Sequence, residues 1–305
     1  MALQIISMYN GLSNPNKRLG GMTMRFQYAA FADESSNSFA GQVDALRRNG
    51  YQFLEIRNLD GKNVTKLTVD EAREYDRILR DNGLRVRSVG SPIGKIQIGD
   101  DFNAHMELCK HTLELANVFG AEQIRLFSFF MPKGEDPEVY TSLVLDRMAI
   151  FANTAKAFGI TACHENEKGI YGDTAPRCLE ILKAVPEIKA VFDPANFVQC
   201  GQDTLQAWEM LAPYVEYMHI KDALPNGKVV PPGQGVGNVP QLIAKYAIQG
   251  GQVLSLEPHL YAFVGLKNLE QAGDESVVGT MSFATSEEAF DYAVNNLKNI
   301  VEGLQ

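Results

Sequence analysis

Along this chain short β-rich runs alternate with longer stretches of helical spacing. The β-rich runs are MRFQYAAF from Met24, QFLEIR from Gln52, LRVRSVG from Leu84 and EQIRLFSFF from Glu122, then ITACHE from Ile160, KAVFD from Lys189, VEYMHI from Val215 and QVLSLE from Gln252. Between them lie FAGQVDALRRNGY, TVDEAREYDRILRDNG, DFNAHMELCKHTLELANVFG and EVYTSLVLDRMAIFANTAKAFG, with apolar residues three and four apart. Several of these helices end at Gly or Asn-Gly just before the next strand (Asn49-Gly50, Asn82-Gly83, Gly120, Gly159), where a left-handed C-terminal cap belongs. TVDE at Thr68 and TSEE at Thr285 have the capping-box form of a helix start.

The pattern makes about eight strand–helix units, which implies parallel pairing through right-handed crossovers. Eight such units close into a single (β/α)8 TIM barrel, with a doubly wound open sheet as the competing topology. Two features favour the barrel. No GxGxxG follows the first strand, and polar residues gather at the C-terminal ends of many strands, which a barrel brings to one mouth. Residues 1–305 are therefore read as one domain. Three stretches fall outside the repeat: an N-terminal arm over residues 1–22, a Gly/Pro-rich loop over 225–238, and an insertion over 260–283 after the eighth strand. The last two sit where substrate loops belong in such a barrel.

Composition narrows the function. The 305 residues carry 28 Lys+Arg against 37 Asp+Glu, a formal charge of −9. An acidic chain is a poor partner for a phosphate backbone, so no nucleic-acid partner is expected. No apolar run reaches the roughly 18 residues of a membrane span, and the first residues lack a basic leader before their short apolar stretch. Cys109, Cys163, Cys178 and Cys200 are widely spaced, without a CxxC pair. Together these lead to the expectation of a cytoplasmic protein with reduced, core-packed cysteines and no membrane partner.

The strand ends carry the candidate chemistry. The fifth ends in His164-Glu165-Asn166-Glu167, the sixth in Phe192-Asp193-Pro194-Ala195-Asn196, the seventh in His219-Ile220-Lys221-Asp222 and the eighth in Glu257-Pro258-His259. Taken singly, each reads as an ordinary barrel-rim residue. As an ordered set on consecutive strands, three carboxylates and a histidine converge on one spot, where like charges repel unless a cation offsets them. Three oxygens and one nitrogen suit Mn²⁺, Mg²⁺, Co²⁺ or Zn²⁺.

On these motifs, CHENE, FDPANF, HIKD and EPHL, the chain resembles the xylose-isomerase-like TIM-barrel superfamily, in its sugar phosphate isomerase/epimerase branch. The resemblance runs from about Met24 to the C-terminus and is strongest from Cys163 to His259. It implies one divalent metal, manganese first, held by Glu165, Asp193, His219 and Glu257. It further implies that Glu165 and Glu257 act as catalytic acid and base on opposite faces of a ketose or related α-hydroxy carbonyl sugar, through an enediolate. The small-molecule sugar is then the partner, and a homo-oligomer, dimer or tetramer, is expected from the same branch. The D-x-x-H common on the sixth strand is here Asp193 to Asn196. A metal-dependent lyase, inosose-dehydratase-like or C-glycoside-cleaving, uses the same chemistry and is the alternative; a non-catalytic sugar-binding barrel is a third. The superfamily's DNA-repair endonucleases need a histidine-rich site, and this chain has five histidines, two of which, His105 and His111, lie in a helical stretch.

Around the quartet, Lys221 shares the face of His219, because positions two apart on a strand point the same way. It is assigned to substrate, against a plain salt bridge with Asp222 or another rim carboxylate. Asn196, His259, Arg57 and Lys95 complete the expected substrate-binding set, with His259 equally placed to orient Glu257. Glu55 and Arg57 share a face of the second strand and are expected to form an ion pair. Lys95 reads otherwise as a solvated loop residue, Arg125 as an ion-pair residue of the barrel layers, and Trp208 as packing under an outer helix.

Overall fold

A computed structural model describes residues 25–263 and 281–304. The eight strands are β1 (Gln27–Ala30), β2 (Phe53–Ile56), β3 (Arg85–Val89), β4 (Gln123–Leu126), β5 (Thr161–Glu165), β6 (Lys189–Phe192), β7 (Val215–Ile220) and β8 (Val253–Leu256). They pair in parallel, each with its sequence neighbour, and β1 pairs with β8 to close the barrel. The (β/α)8 architecture expected from the alternation is the one formed. Among the described residues the outer helices are α1 (Phe39–Arg48), α2 (Val69–Asp81), α3 (Phe102–Phe119), α4 (Thr141–Ala157), α5 (Ala175–Ala184), α6 (Thr204–Leu211), α7 (Val239–Ile248) and α8 (Ser286–Leu304). The N-terminal arm lies outside the described residues, as does most of the insertion. No helix among the described residues is long and apolar enough to cross a membrane.

The local signals act as expected. Thr68 and Glu71 form a reciprocal capping box on α2, and Gly120 ends α3 in the left-handed region at φ 64°. At α8 the box is displaced: Thr285 caps the Glu288 N–H, but the Glu288 carboxylate reaches back to the Ala284 N–H instead of to Thr285. The fourth run is shorter than its sequence pattern. EQIRLFSFF leaves the sheet after Leu126: the Phe127 and Phe129 N–H groups donate to the Ile93 and Gly94 carbonyls of the loop after β3, and Phe130 bridges the loops at Gln97 and Ile170.

Alternation along each strand divides the apolar residues into two sets. Leu54, Ile56, Ile124, Ala190, Met218 and Leu254 face the helices and join the large core, where Trp208 is buried as expected. Cys163, Val191, Tyr217 and Val253 form a separate layer inside the barrel. One step of two residues further along the same strands stand Glu165, Asp193, His219 and Ser255. The period that builds the inner layer therefore also delivers the polar layer above it. All four cysteines are free; three are buried and Cys200 is half-buried.

Candidate metal centre

The quartet comes together. Glu165, Asp193, His219 and Glu257 each offer a ligand atom within 4.8 Å of the others, and all four side chains are buried. His219 Nδ1 lies 2.8 Å from Glu165 Oε1 and 3.5 Å from Glu257 Oε2. Asp193 stands one residue past β6 as the N-cap of a short helix, Pro194–Gln199, where its Oδ1 accepts the Asn196 N–H at 2.9 Å. Its Oδ2 points back into the barrel. Glu165 Oε2 and Asp193 Oδ2 are both buried without a hydrogen-bond donor, although Arg125 and Lys221 lie within ion-pair distance, 3.1 and 2.9 Å. Three buried carboxylates whose oxygens converge beside a histidine nitrogen fit a divalent cation. Burial, with Glu165 and Glu257 close by, pushes the Asp193 carboxyl up to about 6 against the pull of Lys221.

The cations around the quartet are placed by the other strands. Arg57, just past β2, does not pair with Glu55. Its Nε and Nη2 hold Asp33 in a two-pronged grip, 2.9 Å each; Nη2 also reaches Glu34 at 3.1 Å, and Nη1 donates to Glu257 Oε1 at 3.0 Å. The guanidinium is stacked between the Phe31 and Phe263 rings, with centroids 4.4 and 4.3 Å away. Glu55 instead faces His219 Nε2 at 3.1 Å. The expected Glu55–Arg57 pair fails because residues two apart rise roughly 6.6 Å along a strand, into different layers of the barrel. Arg125 bridges Glu165 and the Gly90 carbonyl, 3.1 Å each.

The substrate-side candidates divide. Lys221 is buried and spans Asp193 and Glu257, at 2.9 and 3.3 Å, so it makes the salt bridge to rim carboxylates that was the alternative to a substrate role, though not with its neighbour Asp222. Asp222 is buried too and accepts four backbone N–H groups, from Ala223, Gly233, Gly235 and Gly237, which pins the 225–238 loop. Glycine is required there: a Cβ on Gly235 would stand 2.3 Å from Asp222 Oδ1. Lys95 is buried, not solvated; it reaches Glu167 at 3.1 Å over the Phe127 ring, and burial lowers its pKa despite that partner. Asn196 donates to the Asn166 carbonyl at 2.9 Å and to Glu165 at 3.4 Å, so its amide N–H groups brace the ligands. His259 takes the place beside Glu257 that orienting it requires. Its backbone N–H, at φ 46°, donates to Glu34, and its Nε2 lies 3.3 Å from Glu34 and 3.5 Å from Glu257.

Asp33, Glu34, Glu55 and Glu167 surround the quartet; Asp33 and Glu34 were not singled out from the sequence, Glu55 was read only as the partner of Arg57, and Glu167 only as part of the fifth strand end. Asp33 and Glu34 lie in a one-turn helix, Ala32–Glu34, just past β1, where a charged pair after a strand end was the available signal.

The chain belongs to the xylose isomerase-like TIM barrel family, whose model matches residues 43–274. It is 22% identical over 187 residues to a 3-dehydroshikimate dehydratase of Bacillus anthracis, a match covering 61% of this chain and 66% of that enzyme. Among solved structures it resembles the IOLI protein with a bound zinc atom at a TM-score of 0.69 and 16% identity, covering 92% of this chain and 99% of that one. It also resembles the D-psicose 3-epimerase of Clostridium cellulolyticum H10, solved with D-tagatose, at a TM-score of 0.68 and 13% identity, over 92% of this chain and all of the other. These relatives share the fold but do not share one reaction.

Proposed function

We propose that this chain is a divalent-metal-dependent isomerase or epimerase of an α-hydroxy carbonyl sugar, with a ketose as the first candidate. The observation that carries the reading is the buried convergence of Glu165, Asp193, His219 and Glu257 at four successive strand ends. These residues would hold one ion, manganese first, with magnesium, cobalt or zinc as alternatives. Such an ion supplies Lewis-acid polarisation of the substrate carbonyl. Glu165 and Glu257, on strands three apart, serve as acid and base: one takes the proton α to the carbonyl and the other returns it. Return to the opposite face of the same carbon is epimerisation, and return to the neighbouring carbon is isomerisation.

Lys221 and Lys95 line the substrate side, with His259 and Phe263 on the β8 side. Arg57 and Asn196 serve the substrate indirectly, since their donors already hold protein carboxylates and carbonyls. Each of the four cations, Arg57, Lys95, Arg125 and Lys221, is matched to at least one carboxylate. That charge balance favours an uncharged polyol over a phosphate ester, because a phosphate dianion would have to displace a buried carboxylate from its partner. The four reduced cysteines agree with a cytoplasmic setting. Light scattering decides among monomer, dimer and tetramer.

The dehydratase relative favours a second reading, elimination of a β-hydroxyl after the same proton abstraction. One experiment separates the two: incubation with ketoses, hydroxypyruvate and inososes in D₂O, followed by mass spectrometry. Deuterium gained with an otherwise unchanged formula supports isomerase or epimerase. Loss of water supports the lyase. Ligand binding without exchange across the panel would sink both.

A further inference from the structure

We propose that Glu55 is a positioning residue for the metal centre, fixing His219 so that its Nδ1 faces the other three ligands. The inference rests on the reading that the quartet binds a metal. Glu55 lies on β2, across the barrel from β7, 164 residues away from His219 in the chain. Its Oε2 is 3.1 Å from His219 Nε2 and accepts the Ser255 hydroxyl at 2.5 Å; its Oε1 accepts the Tyr217 hydroxyl at 2.8 Å. Tyr217 in turn meets Ser88 on β3 at 3.1 Å. His219 stands between two carboxylates, Nδ1 2.8 Å from Glu165 and Nε2 3.1 Å from Glu55; with an ion held on the Glu165 side, Nε2 is the nitrogen left to donate to Glu55. A slip in the β2–β3 register between Leu54 and Glu55 brings Glu55 opposite Ser88, and such irregularities re-aim side chains.

A purely structural role does not account for this arrangement. Layers inside such barrels are ordinarily filled by Val, Ile and Leu. Here a carboxylate 1% exposed is kept in the interior, with partners drawn from β7 and β8. Burying it costs several kcal/mol unless charges and hydrogen bonds compensate; here the Tyr217 and Ser255 hydroxyls and His219 Nε2 meet its two oxygens, and the Arg125 guanidinium acts on it through space. The contact with His219 sets which face of the imidazole meets the ion.

The test measures Co²⁺ and Mn²⁺ binding by calorimetry, with the visible spectrum of the Co²⁺ form, in wild type, Glu55→Gln, Tyr217→Phe and Ser255→Ala. Wild type should bind one ion. Glu55→Gln should bind about 10–100-fold more weakly with a changed Co²⁺ spectrum, while circular dichroism stays native. Tyr217→Phe and Ser255→Ala should shift affinity in the same direction by less, and they carry the test if Glu55→Gln does not fold. Wild-type affinity and an unchanged spectrum in every folded variant overturn the role of Glu55 and leave the metal reading standing. Failure of wild type itself to bind either ion overturns the metal reading, and is seen before any variant is compared.

Discussion

The two halves of the barrel do different work. Strands β5 to β8 and the residues just past them carry the four candidate ligands, Glu165, Asp193, His219 and Glu257. Strands β1 to β4 supply none of them. They supply the groups that hold the ligands: Glu55 on His219, Arg57 on Glu257, and Arg125 on Glu165. Asp193 is the exception, held by Lys221 and by Asn166 from within its own half. A buried carboxylate centre is therefore assembled with its counter-charges already in place, Arg57 and Arg125 from the first half and Lys221 from the second. The lesson is that ligation and positioning are encoded in different parts of the chain.

The comparison predicts how each half fails. Removing a ligand, by Glu257→Ala or His219→Ala, should abolish stoichiometric metal and cut substrate proton exchange by about 10²–10⁴-fold. Elemental analysis and the D₂O assay measure the two, and retained metal in both variants would refute the assignment. Removing a support should cost stability first. Arg57→Met leaves Asp33, Glu34 and Glu257 buried without their shared cation, so urea unfolding should lose about 3–5 kcal/mol; a loss below 1 kcal/mol would show that the first half is not a charge scaffold. Gly235→Ala drives a Cβ to 2.3 Å from the Asp222 carboxylate, which disrupts the 225–238 loop and should cost about 1–3 kcal/mol. Unchanged stability there would mean that the loop yields freely.

An effect confined to acid pH concerns the loop that carries Lys95. The Gly94 N–H donates to His105 Nε2 at 2.8 Å, so His105 must be neutral, and burial lowers its pKa from 6.5 to about 4. The unfolded chain then takes up the proton before the folded one does. This contribution to stability is complete above pH 6.5 and is lost as pH falls toward 4. His105→Gln, which keeps an acceptor without the titration, should flatten that part of the urea-midpoint profile. An identical profile in the variant contradicts it.

Much of this was legible from residue order. The strand–helix alternation specified the barrel, and the ordered Glu, Asp, His and Glu at strand ends specified the quartet now found converged. The supporting charges were harder to read. Arg57 looked like the partner of Glu55 because the two share a strand face, yet its partners come from the turn after β1 and from Glu257, 200 residues away. Lys95 looked like a solvated loop residue because Ser91–Lys95 is a Gly-containing segment. The Gly94 backbone instead packs against Phe127, where a Cβ would meet the carbonyl oxygen at 1.9 Å, and this tucks Lys95 beside Glu167.

What the sequence determined by itself is whatever short-range physics controls: the two periodicities, the glycine and capping-box helix ends, and the identity of the groups at each strand end. What only the tertiary structure decided is which charge meets which. Local rules order residues along a strand, but neighbours two apart on that strand stand in different layers. Barrel closure sets β1 beside β8 and faces β2 toward β7, and in a desolvated interior each charge must pair with whatever closure brings within about 3 Å. That is why Asp33, Glu34 and Glu55 emerged as parts of the site only once the sheet was closed.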